Sequence, residues 1–321
     1  MKVGLLLIHG FLTGTDDWDV LLPEVAPLYD GVMLFSQPGH AREGEETNYK
    51  EFTADNCFKA LARAVKEMEE NYDAFDIVGH SMGGGMSLFA ATSPKVRRAV
   101  LLAPALRYPR LGAFSRNAGA VGSLNNLAKR CADQKLASAL KRSAETTKTA
   151  FKDAVAYFKR RLLPNWSVHT LLTFARIMGR SEKYVSKVNC PLTIIWGGLD
   201  EFIPQKSAKF ILSRVGSDKK TFITYNNVGH AMMYMGDTTA LARDLKCILS
   251  GGEVCEVETA LGEQRSVTRY VREDDTMVIT TVSAKVVREA DGVKAIRERS
   301  YRRQKLSKRA VADKVTAKKT I

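Results

Sequence analysis

Short apolar runs alternate with helical segments along the first 250 residues, and this alternation limits the fold more than any other feature of the chain. Each run has the length and composition of a strand that is buried on both faces of a sheet. The runs are residues 2–8, Val32–Phe35, Phe75–Val78, Val96–Ala103, Leu192–Trp196 and Thr221–Tyr225. The helical segments are Phe52–Asn71, Ser81–Ala91 and Leu241–Leu249. Strands that alternate with helices predict an α/β fold with a doubly wound, mostly parallel sheet.

About 86 residues separate the fourth predicted strand from the fifth, and they show no strand pattern. Three stretches within them have helical character, namely Leu127–Leu140, Thr149–Leu162 and Val168–Met178. A plain connection in a compact domain is much shorter than this. We therefore predict a core formed by residues 1–104 and 191–251, with residues 105–190 inserted as a helical cap.

Residues 252–321 have a different pattern and are predicted to form an α/β or β-rich C-terminal extension of unknown role. Ser266–Val271, Met277–Val287 and Val293–Tyr301 have strand character and are separated by turn residues. Three interpretations are open: a small antiparallel sheet against the core, a partner-binding module, or a solvated, partly disordered extension. We favour the solvated extension.

Positive charge is concentrated in the middle of the chain. Lys and Arg number 49 against 35 Asp and Glu, which gives a formal net charge of +14. Residues 105–190 carry +13 of it, whereas residues 1–104 carry −6. Such an excess raises the question of nucleic acid or an anionic membrane as a partner. Because no nucleic-acid-binding motif is present, we expect no nucleic-acid partner. An anionic membrane surface, an acidic substrate and a merely solvated basic face over a buried apolar one stay as alternatives.

The cysteines indicate the compartment. Their positions are Cys57, Cys131, Cys190, Cys247 and Cys255, without a Cys-x-x-Cys pair. This spacing favours free thiols in a reducing compartment over a disulfide framework or a zinc site. The N-terminal apolar run is too short for a signal peptide, and nowhere do 18 apolar residues follow one another. We expect a cytoplasmic protein with no metal and no cofactor.

The segment Gly79-His80-Ser81-Met82-Gly83 is the strongest local sign of chemistry. It follows a predicted buried strand and opens a predicted helix. A serine in this context lies on a sharp strand-to-helix turn that presents its hydroxyl at the edge of the sheet. The glycines leave room for the neighbouring strand and helix. The context predicts a nucleophilic Ser81 in preference to an ordinary glycine-rich turn.

A serine hydroxyl needs a general base and a group that orients this base. Of the five histidines, only His230 follows the last predicted strand, in a loop that meets the sheet edge of Ser81. Asp200 comes directly after the fifth predicted strand, and the adjacent Glu201 is the alternative acid. The order Ser81, Asp200, His230 is the order found in enzymes with this serine turn.

Acyl transfer through a serine also needs N–H donors for the negatively charged oxygen of the tetrahedral intermediate. One predicted donor is the N–H of Met82, at the start of a helix whose dipole favours negative charge. The other is the N–H of Phe11, in the loop after the first strand. His9, Gly10 and His80 flank these donors and are predicted to contact the substrate.

These segments together resemble the α/β-hydrolase family, and within it the small bacterial carboxylesterases and monoacylglycerol lipases. The matching segments are residues 7–11, 37–40, 79–84, 196–200, 203–204 and 229–230. They span about three quarters of the chain, whereas residues 252–321 match no part of the family. The resemblance implies a serine hydrolase that cleaves carboxylic esters or lipids through an acyl-enzyme on Ser81, under a cap that selects the substrate.

Two other functions stay open at this point. The loop Phe11–Trp18 and Pro38-Gly39-His40 also resemble the menaquinone-pathway synthase and other carbon–carbon bond-cleaving hydrolases. In that synthase an arginine commonly follows the nucleophile motif, where this chain has Gly85. The second possibility is a non-enzymatic basic binding protein on the same scaffold. The complete set of triad residues counts against it.

Overall fold

A single mixed sheet forms the centre of the molecule in the computed structural model, which describes residues 1–107, 125–126, 128–131, 134–157, 165, 167–226, 228–234, 238–252, 265–289 and 292–306. Its strands in chain order are β1 (Val3–Ile8), β2 (Gly31–Phe35), β3 (Ala74–His80), β4 (Val96–Leu102), β5 (Leu192–Gly197), β6 (Lys219–Tyr225), β7 (Arg265–Glu273), β8 (Thr276–Glu289) and β9 (Gly292–Lys305). Their spatial order is β2-β1-β3-β4-β5-β6-β7-β8-β9.

Helices cover both faces of the parallel part of this sheet. In chain order the α-helices are α1 (Leu22–Val25), α2 (Ala54–Asn71), α3 (Met82–Ala90), α4 (Gln134–Tyr157), α5 (Val168–Glu182), α6 (Gln205–Arg214) and α7 (Thr239–Leu249). The buried side chains of α4 lie in a small cluster apart from the two layers on the sheet. α2 begins where the Thr53 hydroxyl accepts the N–H of Asn56 at 3.2 Å, and its apolar face is buried. The buried face contains Phe58, Leu61 and Met68.

Side chains alternate between the two hydrophobic layers, as the pleat of a strand requires. In β1, Leu6 and Ile8 face the layer covered by α2, α3, α5 and α6, whereas Leu5 and Leu7 face α1 and α7. All four are fully buried. Each such side chain contributes about 1.5–3 kcal/mol by leaving water. The continuous apolar run at the N-terminus therefore forms a strand buried on both faces.

The predicted doubly wound, mostly parallel sheet is confirmed. β1 to β6 correspond to the six predicted strands and pair in parallel. The three predicted helices are found as α2, α3 and α7, with starts that differ by one or two residues.

The predicted cap segment contains α4 and α5, and one helix boundary differs from prediction. Leu127–Leu140 and Thr149–Leu162 are predicted as separate helices, but much of both belongs to the single helix α4. No glycine or proline interrupts residues 134–157, so the helix continues. Residues 158–162 lie outside the described part. α5 packs on α2 and α3, and its Arg180 pairs with Asp55 of α2 at 2.8 Å.

The preference for a solvated C-terminal extension is wrong for residues 265–305. β7 pairs antiparallel with β6, with Val267 beside Ile223, and β8 and β9 continue the sheet. Without β7, β6 would be an edge strand with unpaired backbone groups. Val267, Val278 and Val282 are buried by this arrangement. The extension is β-rich, and the sheet runs into it from the core without a break.

Candidate active site

Ser81, Asp200 and His230 lie in three loops at one edge of the sheet. Ser81 directly follows β3, Asp200 follows β5, and His230 follows β6. These are carboxyl ends of parallel strands, where open α/β sheets form their binding crevice. The three residues are separated by up to 149 positions in the chain, and all three are buried.

The backbone of Ser81 has a conformation that side chains rarely adopt, with φ 54° and ψ −117°. A residue held in this way costs about 1–3 kcal/mol, which the surroundings must offset. The flanking glycines allow the tight packing around it. A Cβ on Gly83 would lie 2.3 Å from the carbonyl oxygens of Ile8 and His9. The close approach of α3 to the end of β1 therefore requires glycine at position 83.

Two hydrogen-bonded contacts connect the three side chains. His230 Nε2 lies 2.8 Å from Ser81 Oγ, and His230 Nδ1 lies 2.8 Å from Asp200 Oδ2. The other oxygen of Asp200 accepts the backbone N–H groups of Phe202 and Ile203 at 2.9 and 2.6 Å. Since an ionised carboxylate only accepts, Nδ1 carries the proton and Nε2 accepts the serine hydroxyl.

The surroundings of His230 favour its protonated form. Burial opposes the positive charge, but the charge and hydrogen bond of Asp200, with the charges of Glu201 and Asp17, outweigh it. The pKa of His230 is therefore raised above its ordinary value. An imidazole with a raised pKa is a stronger base for the serine proton.

Glu201, the alternative acid, does not contact the imidazole ring through a hydrogen bond. Its Oε2 accepts the backbone N–H of His230 at 3.1 Å. Burial first, and the charge of Asp200 second, raise the pKa of this carboxyl. The structure therefore brings Asp200 to the imidazole ring and places Glu201 at the backbone N–H of His230.

The N–H of Phe11 is left available while its neighbours are engaged. The N–H of Gly10 donates to Asp17 Oδ2, and that of Leu12 donates to His40 Nε2, each at 3.2 Å. Among the described residues, neither Phe11 N–H nor Met82 N–H has a protein acceptor. Met82 is the first residue of α3, where N–H groups lack intrahelical partners.

His9, Gly10 and His80 lie around these loops in supporting positions. His9 is fully buried, and its Nε2 accepts the N–H of Gln37 at 3.1 Å. His80 is also buried and donates from Nε2 to the carbonyl of His230 at 3.2 Å. A Cβ on Gly10 would lie 3.5 Å from Ser81 Cβ, so this loop contacts the serine turn. Their contact with a substrate stays a prediction.

Aromatic rings lie beside two of the loops that form the site. The ring of Phe11 is 4.8 Å from that of Phe174 in α5, between centroids. Phe202 lies against His230, with centroids 5.4 Å apart. Helix α5, in the predicted cap segment, therefore contributes an aromatic side chain beside the loop of Phe11.

Gly85 has no room for a side chain. A Cβ there would lie 2.3 Å from the backbone oxygen of Ala105. An arginine at this position, as in the menaquinone-pathway synthase, would require the backbone to move. The geometry thus adds to the sequence observation that separates this chain from that synthase.

Other site types are not found in the part of the chain that the structure describes. No group of His, Cys, Asp or Glu is arranged to hold a metal ion there. None of the four cysteines in that part forms a disulfide, and Cys255 lies outside it. No helix among the described residues has both the length and the apolar character needed to cross a bilayer.

Sequence reasoning did not identify Asp17 or Tyr234 as part of this region. Asp17 is buried, and its carboxylate accepts the Tyr234 hydroxyl. Asp17 stands in the run Asp16-Asp17-Trp18, which gives no sign that one of two adjacent acids is buried. Tyr234 follows His230 by four residues in a short 3-10 helix, Met232–Tyr234.

Comparison with known families agrees with this geometry. A profile of the family described as "Serine aminopeptidase, S33" matches residues 4–237. The chain belongs to this family. The match confirms the predicted α/β-hydrolase membership, and it leaves β7, β8 and β9 outside the family region. A search of curated protein sequences returned no match.

Solved structures of similar fold include several lipolytic proteins. A monoacylglycerol lipase from Paleococcus ferrophilus is 17% identical, with 77% of this chain and 94% of that chain covered and a TM-score of 0.55. A structure of the metagenome-derived lipolytic enzymes LipS and LipT is 17% identical, with 78% and 94% covered and a TM-score of 0.54. A lipase-esterase related protein from Clostridium acetobutylicum is 16% identical, with 76% and 93% covered and a TM-score of 0.51. At these identities the likeness shows the fold.

Proposed function

We propose that this member of the S33 family is a serine hydrolase that cleaves carboxylic esters through an acyl-enzyme on Ser81. The observation that carries the proposal is the pair of 2.8 Å contacts that join Ser81 Oγ, His230 and Asp200. Nucleophile and base within hydrogen-bond reach, with a third group orienting the base, are the requirements for covalent catalysis by serine.

In the first half-reaction Ser81 Oγ attacks the carbonyl carbon of the ester, and its proton moves to His230 Nε2. Asp200 stabilises the imidazolium that forms. The N–H groups of Phe11 and Met82 donate to the carbonyl oxygen while it carries negative charge. His230 then gives its proton to the leaving alcohol oxygen as the carbon–oxygen bond breaks.

In the second half-reaction a water molecule attacks the acyl-enzyme. His230 takes a proton from this water, and the carbonyl oxygen again lies between the donors of Phe11 and Met82. When the intermediate collapses, His230 returns the proton to Ser81 Oγ and the carboxylic acid leaves. The raised pKa of His230 suits a base that gains and loses a proton in each half-reaction.

An ester with an apolar acyl group fits the surroundings of Ser81 best. Phe202 supplies apolar surface beside His230, and Phe174 packs on Phe11, whose N–H is the proposed oxyanion donor. An aminopeptidase would need a carboxylate to bind the free amino group of its substrate. Asp200 and Asp17, two of the carboxylates that affect His230, already accept several hydrogen bonds from the protein itself. The lipolytic neighbours in the structural comparison support the same substrate class.

The proposal includes a cytoplasmic location, which rests on the scattered cysteines without a disulfide in the described part. It also retains an anionic membrane surface as the source of a lipid substrate, because the predicted cap carries a formal net charge of +13.

Substrate preference is tested with the purified full chain and p-nitrophenyl esters from acetate to palmitate, with monooleoylglycerol, and with alanine p-nitroanilide as a peptide-bond mimic. We expect turnover of esters, lost in the Ser81→Ala variant, and little or no turnover of the anilide. Faster turnover of the anilide than of every ester would contradict the ester proposal. Preference for a dicarboxylate or diketone acid would favour the carbon–carbon bond hydrolases.

A further inference from the structure

Asp17 is a buried carboxylate that takes no direct part in the proton transfers of the proposed reaction. It lies in a short 3-10 helix, Thr15–Trp18, and is 2% exposed. Its Oδ2 accepts the N–H of Gly10 at 3.2 Å and the Thr13 hydroxyl at 2.6 Å, while its Oδ1 accepts the Tyr234 hydroxyl. A buried charge is costly unless such donors compensate it.

These donors come from segments on both sides of the triad. Gly10 directly precedes Phe11, whose N–H is the proposed oxyanion donor. Tyr234 belongs to the short helix that follows His230, the proposed base. One carboxylate therefore connects the loop after β1 to the loop after β6, although Asp17 and Tyr234 are 217 positions apart.

His80 extends the connection to the serine turn. Its Nε2 donates to the carbonyl of His230 at 3.2 Å, and its Nδ1 lies 3.9 Å from Asp17 Oδ2. His80 also directly precedes Ser81. The segments that carry the nucleophile, the base and one oxyanion donor thus meet around Asp17.

Asp17 is ionised in this environment. Burial alone would raise the pKa of its carboxyl, but the nearby rings of His80 and His9 and the hydrogen bond of Thr13 outweigh it, so that the pKa is lowered. A buried charge of this kind is weak evidence for stability, since well-packed apolar residues often serve a fold as well. Its position among the reactive loops suggests another role.

We propose that Asp17, with Tyr234 and His80, is a positioning residue. It fixes the Phe11 N–H and the loop of His230 relative to Ser81. The inference rests on the proposed ester hydrolysis. The Gly10 loop already contacts the serine turn, because a Cβ on Gly10 would lie 3.2 Å from His80 Nδ1 and 3.5 Å from Ser81 Cβ. A change in how Gly10 is held therefore moves the Phe11 N–H relative to the reacting oxygen.

Asp17→Asn is the main test variant, and Asp76→Asn is its matched control. In Asp17→Asn, a side-chain NH₂ group replaces one of the two carboxylate oxygens. This group cannot accept the hydrogen bonds that the oxygen now accepts. Asp76 is also fully buried and bonds to Tyr29 and Arg97, but it lies on β3 well away from the serine end of the strand. Both variants disturb a buried carboxylate, and only one of these carboxylates contacts the loops of the site.

Steady-state hydrolysis of p-nitrophenyl butyrate separates positioning from a structural role. We expect Asp17→Asn to lower kcat by roughly 10- to 100-fold, the effect of a misplacement of about 1 Å, with little change in KM. Inhibition by butylboronic acid, which forms a tetrahedral adduct on the serine, should weaken by a similar factor. Asp76→Asn should lower the thermal midpoint while kcat stays that of the wild type.

Tyr234→Phe tests the same connection with a gentler change, in case Asp17→Asn does not fold. It removes one donor to Asp17, and we expect a smaller loss of kcat, again without a matching change in KM. An active wild type whose kcat and boronate affinity survive both variants would overturn the inference and leave the proposed function intact. An inactive wild type would overturn both.

Discussion

The hydroxyl oxygen of Ser81 lies 2.8 Å from Nε2 of His230, although the two residues are 149 positions apart in the chain. The contact joins the turn after β3 to the loop after β6. It depends on two separate features, the strained backbone of Ser81 and the Asp200 carboxylate that holds the opposite ring nitrogen. Each feature leads to a measurable expectation.

The first prediction concerns pH. Burial lowers the tendency of His230 to protonate, but the carboxylates around it outweigh this, so its pKa is raised above the usual value of about 6.5. A protonated imidazole cannot accept the serine proton. We therefore expect kcat/KM for an ester to fall as pH decreases, with a midpoint above that of a free imidazole. A midpoint well below it would contradict the environment described for His230.

The second prediction separates Asp200 from Glu201. Asp200→Asn removes the charge that orients the ring, and we expect kcat to fall by about 10⁴-fold. Glu201→Gln keeps an oxygen that can accept the N–H of His230, and it leaves the contact between Asp200 and the imidazole ring in place. We expect Glu201→Gln to retain at least about a tenth of the wild-type kcat. Equal losses in the two variants would contradict the assignment of Asp200.

The third prediction uses two glycines with opposite surroundings. A Cβ on Gly83 would lie 2.3 Å from the backbone oxygens of Ile8 and His9. A Cβ on Gly179 in α5 would meet nothing within 4 Å. Urea denaturation should show that Gly83→Ala lowers the free energy of unfolding by about 1–3 kcal/mol. Gly179→Ala should raise it by up to about 1 kcal/mol, because alanine favours the helix. Similar effects of both changes would argue against the close packing at position 83.

The fourth prediction tests how the C-terminal strands are attached to the core. Arg265 at the start of β7 pairs with Asp244 of α7 at 2.8 Å, and both side chains are 3% exposed. Asp244→Ala leaves the guanidinium buried without its partner and should cost about 3–5 kcal/mol of unfolding free energy. Replacing both residues, as Asp244→Leu with Arg265→Met, should recover much of this loss.

The matched control for that prediction is Lys246→Ala. Lys246 also lies on α7, but its pair with Glu24 is about half exposed. Such pairs contribute about 0–1 kcal/mol, so the variant should unfold close to the wild type. A loss in Asp244→Ala no larger than in this control would show that β7 is not anchored through Asp244.

The sequence predicts the parallel core well because its signals are local. Apolar runs such as Leu5–Ile8 indicate strands buried on both faces, whichever strand lies beside them. Gly79 and Gly83 indicate the tight turn at Ser81 because neither position has room for a side chain. The attachment of β7 to β6 could not be read in this way. Strand character at Ser266–Val271 is visible, but the pairing partner of a strand depends on the whole fold.

The same distinction applies to the site. The order of Ser81, Asp200 and His230 is a property of the sequence, whereas the burial of Asp17 is decided by packing against the loops of Gly10 and Tyr234. Glu201 and Asp200 are adjacent and chemically alike, so only their positions relative to the His230 ring distinguish them.

Covalent labelling of Ser81 tests the central claim most directly. The purified chain is incubated with a fluorophosphonate, and its intact mass and peptides are measured alongside p-nitrophenyl butyrate hydrolysis. We expect one adduct, on the peptide that contains Ser81, with loss of activity in proportion to labelling. Ser81→Ala should take up no label and hydrolyse the ester about 10⁴-fold or more slowly. An adduct on another residue, or undiminished hydrolysis by Ser81→Ala, would contradict the proposed reaction.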